Sequence, residues 1–369
     1  MSRLAAMPWR AARPRPAVIV SLGAVLLALG AGAILVAALG VPVAEAVAAF
    51  ADGAWGSPYA LAASINRALV FALVGLGFVL AQRANLTNVG GEGQIAVGGI
   101  AATALSLYGP VNSLPWGLAF VLPAIAACLA GAFWGGIAGV LKVKAGTSEV
   151  ISTLLLSFIA VWMVYGSVQS DALLRRPMTT SATLPESLEI PLATQFPLLG
   201  GDPAMPLHAG VPLGLLLAIA VALVLGATVL GLRLRAAGLN PLAARRAGMA
   251  VDRMTIGVLC VAGAFGGLAG AFMLQGEQYS LKAGFSSGYG FDGLVVGLLA
   301  RGSAAGVVAG ALLFGFLRSG GINMEMVAGV PTALVVVIQG LIIVMLAGAA
   351  LAIARMDARM DARREASRP

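Results

Sequence analysis

What most limits this chain is a succession of apolar stretches, most of them close to the length an α-helix needs to cross a bilayer, the eighth and ninth being short. Roughly 20 apolar residues span the hydrocarbon layer. Such stretches occur at 17–39, 61–81, 89–108, 116–140, 148–167, 210–232, 254–274, 290–300, 304–318 and 331–353. In lipid every backbone N–H and C=O needs a partner within the protein, which leaves only helices and closed barrels. Aromatic residues at 6% are too few for an aromatic-girdled barrel, whereas 49 glycines suit helices that pack closely. The expected fold is an all-α polytopic membrane protein with about 10 transmembrane helices over residues 17–353. A chain of 60% hydrophobic and 10% charged residues is no soluble enzyme or nucleic-acid module.

The basic residues set the orientation. With the N-terminus cytoplasmic, the inside segments collect Arg3, Arg10, Arg13, Arg15, Arg83, Lys142, Lys144, the arginines of 233–253, Arg301 and those from Arg355 onward. Only Arg67, Arg175, Arg176, Lys282 and Arg318 fall outside or within spans. The positive-inside rule then places both termini in the cytoplasm, the basic segment 1–16 and the tail 354–369 included. It also accounts for a pI of 10.2 without nucleic-acid binding. The first run, after four arginines, is too long for a signal-peptide core and reads as an uncleaved span. The loop 168–209 lies outside and carries six prolines; it is either an extended cover or a docking surface for an extracytoplasmic partner. Cys128 and Cys260 sit in apolar runs, and His208 is the only histidine, so no metal site or cofactor is expected.

A weak internal repeat relates Arg83–Gly98 to Lys282–Gly297: each runs from a basic residue and Ala through small residues to an acid followed by Gly. Five spans separate the copies, and an odd number reverses their direction. That pattern predicts an inverted repeat, spans 2–5 against 7–10, as in many transporters. Glu92, Glu149 and Asp292 each open a predicted helix, where a carboxylate complements the helix dipole; contact with a ligand is the sharper alternative. Asn66, Asn85, Asn88, Gln94, Ser152, Thr153, Ser157 and Phe291 complete the candidate solute path, although each polar group also suits an interhelical contact. The pairs Gly131/Gly135, Gly263/Gly267, Gly266/Gly270, Gly293/Gly297 and Gly306/Gly310 have the spacing of helix-packing motifs.

Between the sixth and seventh spans, Asn240 suits a helix N-cap, Pro241 the first helical position and Gly248 the residue after the helix. These signals predict a helix of about two turns outside the membrane. A helix that short is marginal alone in water, so the membrane surface or a partner's groove should hold it. Arg245 and Arg246 would serve either. The chain carries no phosphate-binding loop, because Lys142, Lys144 and Lys282 are followed by Val, Ala and Ala. Energy for transport must come from a partner or from an ion gradient.

The segment Gly238-x-Asn240-Pro241-x-Ala243-Ala244-Arg245-x-Ala247-Gly248 resembles the coupling loop of bacterial ABC-transporter permeases of the nucleoside and simple-sugar (branched-chain amino acid/ribose-type) class. Asn88–Gln94, Thr147–Thr153, Ser287–Leu294, Gly329-Val-Pro331 and Ile338–Leu341 resemble the same family in matching order, over about residues 60–350. The chain departs from it at Ser157-Phe158, where members often have Asn-Tyr, and at Gly91, where Ala is usual. The resemblance implies a non-enzymatic permease subunit of an importer in the bacterial cytoplasmic membrane. It implies a cytoplasmic ATP-binding subunit, a second permease subunit, identical or homologous, and an extracytoplasmic solute-binding protein. Gly238, Asn240, Pro241, Ala244, Arg245, Arg246 and Gly248 would couple to the ATPase. The alternative is a gradient-driven secondary transporter using Glu92, Glu149 or Asp292.

Overall fold

The computed structural model describes residues 14–342 apart from Trp116, 178–184 and Thr332, with single positions as far as Met356. The N-terminal basic segment to Arg13, part of the 168–209 loop, most of 343–353 and the tail beyond Met356 lie outside the described residues. Helices run Pro14–Ala38 (α1), Val43–Trp55 (α2), Pro58–Arg83 (α3), Gly91–Tyr108 (α4), Leu118–Ala145 (α5) and Glu149–Gln169 (α6). They continue as Gly210–Ala227 (α7), Val229–Leu239 (α8), Pro241–Arg246 (α9), Val251–Met273 (α10), Tyr289–Leu299 (α11) and Ala304–Ala328 (α12). Six helical segments, Pro58–Arg83, Leu118–Ala145, Glu149–Gln169, Gly210–Ala227, Val251–Gln278 and Ala304–Ala328, are long and apolar enough to cross a membrane. Shorter apolar helices lie at Leu26–Ala38, Tyr289–Leu299 and Ala333–Ile342. Among the described residues no sheet forms, only isolated antiparallel bridges.

The helix boundaries differ from the sequence expectation in four places. Residues 43–55, expected as a connection, form α2; Ser57 then accepts the Ala60 N–H and Pro58 opens α3, so two helices meet across a tight cap. The predicted span 210–232 breaks at Thr228, whose extended backbone (φ −114°, ψ 157°) and hydroxyl, accepting the Gly231 N–H, start α8. Residues 233–239, expected in a cytoplasmic loop, are therefore helical. The run 254–274 continues through a π-helical turn at Leu274–Gln278, and 304–318 extends to Ala328, which leaves Arg318 inside a helix.

By contacts the chain divides into residues 50–323 and a second unit of 1–49 with 324–369. In the larger unit α10 packs on α3, α4 and α5, and α3 is buried along most of its length. Glycine makes these contacts possible. A Cβ on Gly131 of α5 would lie 2.2 Å from the Gly263 carbonyl oxygen of α10, and one on Gly267 would lie 2.1 Å from the Ala127 carbonyl oxygen. The other face of α10 meets α4, where a Cβ on Gly270 would come within 2.3 Å of the Ile95 carbonyl oxygen. Gly293 and Gly297 of α11 likewise face Val74 and Phe78 of α3. Lipid gives apolar side chains little reason to leave it, so backbones that approach this closely gain their association from dispersion. The outward faces of α5, α6 and α7 present Phe133, Trp162 and Leu216, each exposed by well over half, as suits a surface in contact with acyl chains. In the smaller unit Gly32 of α1 faces Ile338.

Candidate functional site

The turn after α3 organises the first group of candidate residues. Asn85 holds φ +56°, a left-handed conformation that Asn tolerates, and the next N–H, of Leu86, reaches back to the Ala81 carbonyl. Asn85 thus ends a helix and is exposed. The following loop docks on the start of α6. Asn88 and Gln94 exchange hydrogen bonds between their amides (3.0 and 3.1 Å), and the Gly90 N–H donates to the Asn88 Oδ1 at 2.9 Å. The Val89 N–H donates to Thr153 Oγ1 and the Gly93 N–H to Ser157 Oγ. Both hydroxyls donate in turn to carbonyls of α6, and Ser152 does the same toward Ser148. Glu149 accepts from Thr87 N–H and pairs with Lys142. Asn88, Gln94, Thr153 and Ser157 are buried with their polar groups engaged inside the protein, which is what apolar surroundings demand.

Glu92 reaches farther. Its two carboxylate oxygens accept the N–H groups of Gly288 and Gly290, each at 2.8 Å, and so cap the first turn of α11. A carboxylate there satisfies donors with no helical partner and meets the positive end of the helix dipole. The contact needs glycine: a Cβ on Gly290 would fall 2.0 Å from the Glu92 nitrogen. The N-termini of α4 and α11 therefore meet, bringing Asp292 and Phe291 close to Glu92. Asp292 is half-buried, and its carboxylate makes no hydrogen bond or ion pair among the described residues. Phe291 is partly exposed beside it.

A second polar group, of which the sequence singled out only Asn66 as a candidate, surrounds Arg67 and Arg318. Arg67 of α3 pairs with Glu277 of the π-helical turn at 2.6 Å and donates to Ser319 Oγ of α12 at 2.6 Å. Tyr289 stacks on Phe71 with ring centroids 4.8 Å apart, while the Arg318 guanidinium lies 5.1 Å from the Tyr289 ring and donates to the Ser287 carbonyl. Neighbouring Asn66 donates to the Pro206 carbonyl and leaves its own buried oxygen unpaired. The available signal was the presence of Arg67 and Arg318 within apolar runs, since a charge at that depth persists only with a partner. The partners come from distant segments and carry no local pattern.

The described parts of the 168–209 segment fold back onto this end of the bundle. The backbones of Glu186 and Lys282 form an isolated antiparallel bridge, Ser187 exchanges backbone and hydroxyl bonds with Leu281, and buried Gln275 donates to the carbonyls of Phe120 and Thr194. His208 stacks on Phe196, meets Phe272 edge-on and accepts the Gly210 N–H at 3.1 Å. Burial among these rings pushes its pKa down to about 4 and keeps the imidazole neutral.

At the opposite end of α10 lies α9. Asn240 accepts the Ala243 N–H at 3.0 Å, Pro241 occupies the first turn, and Gly248 takes φ +81° as the chain leaves. The Met249 N–H closes the turn on the Ala244 carbonyl. Ala244 alone of α9 is buried, in a cluster with Ala237 and Val251, so one side is clamped while Leu242, Arg245 and Arg246 stand exposed. Arg245 forms a two-pronged ion pair with Asp252, which joins α9 to the first turn of α10. Gly238 acts differently: a Cβ there would meet the Arg83 carbonyl oxygen at 2.6 Å, so it lets α8 press on the end of α3.

The chain from 60 to 347 matches the model of the family described as branched-chain amino acid transport system / permease component. It is 37% identical to the glucose ABC transporter permease protein of Haloferax volcanii, over 87% of this chain and 85% of that one. It is 33% identical to the guanosine ABC transporter permease protein of Bacillus subtilis, over 89% of this chain and 92% of the relative. A nucleoside ABC transporter permease protein of Lactococcus lactis subsp. cremoris is 30% identical over 89% and 90% of the two chains. No solved structure matches. With its apolar helices and a match over most of its length, this multi-pass membrane chain belongs to the branched-chain amino acid transport system permease family.

Proposed function

We propose that this permease is the membrane-spanning subunit of an ATP-driven importer of a nucleoside or a related simple sugar in the cytoplasmic membrane. The observation that carries the reading is α9: a helix too short to persist alone, clamped on one side by Ala244, with Leu242, Arg245 and Arg246 left outward. Such a face fits a groove on a cytoplasmic ATP-binding subunit, and the Arg245–Asp252 pair would pass its movement to α10. The relatives named for guanosine, nucleosides and glucose support a hydroxylated solute, and they disfavour the gradient-driven alternative.

In this reading the termini and α9 are cytoplasmic, and 168–209 faces the extracytoplasmic solute-binding protein. The permease domain covers 17–353, and a second permease subunit completes the path. The meeting of α4 and α11, which hold the two copies of the weak repeat, supports an inverted arrangement of spans 2–5 and 7–10. Of the candidate path residues, Asp292 is best suited to a sugar hydroxyl, because its carboxylate is not engaged elsewhere in the described chain. Asn88, Gln94, Glu149, Ser152, Thr153 and Ser157 would shape the path by holding α4 against α6.

The test is to reconstitute the permease with its ATP-binding subunit and compare wild type with Gly248→Val. A β-branched residue at φ +81° strains the exit of α9. Uptake per ATP hydrolysed should fall several-fold; an unchanged ratio would remove α9 from the coupling path.

A further inference from the structure

One cavity belongs to none of the polar groups described above. α7 and α10 both pack on α3, and between them opens a groove of about 540 Å³, floored by Leu80 and walled by Leu217, Val224, Val261 and Phe265. That volume lies within the roughly 300–1,000 Å³ of ordinary ligand sites. Its lining is apolar along its length, so a hydroxylated solute would give up hydrogen bonds to water and gain none.

One end differs. The break at Thr228 turns the chain into α8, whose Leu230 and Leu234 close the groove beside Arg253. Arg253 is exposed, and it makes no hydrogen bond or ion pair among the described residues. The neighbouring carboxylate, Asp252, is already engaged by Arg245. The groove thus pairs one free cation with an apolar channel. From Arg253 to Phe265 on α10 is 12 residues, about 18 Å of helix. Half of a roughly 30 Å hydrocarbon layer is about 15 Å, so the channel has the depth of one leaflet.

We propose that this groove holds an acyl chain of an anionic phospholipid whose phosphate rests on Arg253. The cation supplies the charge complement of the headgroup, and the apolar walls take the chain that a free phosphate lacks. Basic pockets between spanning helices at the cytoplasmic face select anionic lipids by this combination. Because α8 and α10 frame α9, the lipid would brace the base of the coupling helix while taking no part in solute passage.

Native mass spectrometry of the full-length chain, exchanged in detergent with dioleoyl-phosphatidylglycerol or dioleoyl-phosphatidylcholine, tests the site. Wild type should retain one phosphatidylglycerol and at least tenfold less phosphatidylcholine. Arg253→Ala should lose that preference, and Arg253→Lys should keep most of it. Gly257→Trp places a ring in the groove, where a Cβ meets nothing within 4 Å, and should abolish retention while the melting temperature stays near wild type. Equal retention of both lipids, or phosphatidylglycerol retained by both Arg253→Ala and Gly257→Trp, would overturn the proposal. So would a lipid-free dimer that Gly257→Trp splits, since a second copy would then cover the groove.

Discussion

The carboxylate of Glu92 on α4 accepts the backbone N–H of Gly290 on α11 at 2.8 Å, joining the starts of two helices that lie almost 200 residues apart in sequence. Its second oxygen takes Gly288, so both acceptors serve one helix terminus. Removing the side chain strands two N–H groups at a buried contact. Glu92→Ala should cost about 3–6 kcal/mol, because each of the two hydrogen bonds to a charged group contributes roughly 1.5–3 kcal/mol. Glu92→Gln keeps one acceptor and should lose less. Thermal unfolding followed by tryptophan fluorescence in detergent ranks the three proteins; equal melting of wild type and Glu92→Ala would show that the cap contributes nothing.

Glycine contacts predict an asymmetry between helices. Gly131→Ala puts a methyl group 2.2 Å from the Gly263 carbonyl oxygen, so α5 and α10 must part, at a cost of about 1–3 kcal/mol. Gly166→Ala meets nothing within 4 Å and should be neutral or slightly stabilising, since Ala favours helix by up to about 1 kcal/mol. Melting temperatures moving in the same direction for both variants would contradict the packing described.

Arg67 and Glu277 make a third prediction. Breaking the pair from one side, by Arg67→Met or Glu277→Leu, leaves a poorly solvated charge without its partner and should destabilise by about 3 kcal/mol. The double variant Arg67→Met/Glu277→Leu should recover much of that loss, because no charge remains. A double-mutant cycle on unfolding midpoints checks it, and additive losses would show that the two residues act independently.

His208 predicts a pH dependence. Its folded pKa of about 4 lies below the ordinary 6.5, so the unfolded chain takes up the proton first. The stability tied to the neutral ring is complete above pH 6.5 and is lost as pH falls toward 4, amounting to about 3 kcal/mol at most. His208→Gln should be less stable at pH 7.5, and the gap from wild type should narrow by pH 4.5. Melting curves at both pH values decide it; a constant gap would mean that His208 does not titrate in this window.

Local chemistry made α9 legible: an N-cap, a proline and a left-handed glycine each act within a few residues, and Asn240, Pro241 and Gly248 occupy those positions. The glycine pairs were equally readable, because four-residue spacing marks one helix face, although their partners were not. Hydropathy located the apolar helices but missed α2, whose Glu45 and Asp52 interrupt the run, and it could not see Thr228 turn the chain inside an apolar stretch. The polar candidates illustrate the limit for sites. Asn88, Gln94, Thr153 and Ser157 have the residue types of a solute path, yet their donors and acceptors are engaged by one another and by nearby backbone. Arg67 finds Glu277 and Ser319 only after the chain has folded, and no spacing in the sequence announces such a contact.

An importer driven by ATP hydrolysed on a partner subunit differs from a gradient-driven one in what its uptake requires. The two are separated by uptake of radiolabelled guanosine, other nucleosides and glucose into proteoliposomes holding the permeases and ATP-binding subunit, with the solute-binding protein outside. ATP coupling should give accumulation of one of these solutes that requires ATP in the lumen and persists when a protonophore collapses the proton gradient. Accumulation driven by an imposed gradient without ATP, and abolished by the protonophore, would contradict it.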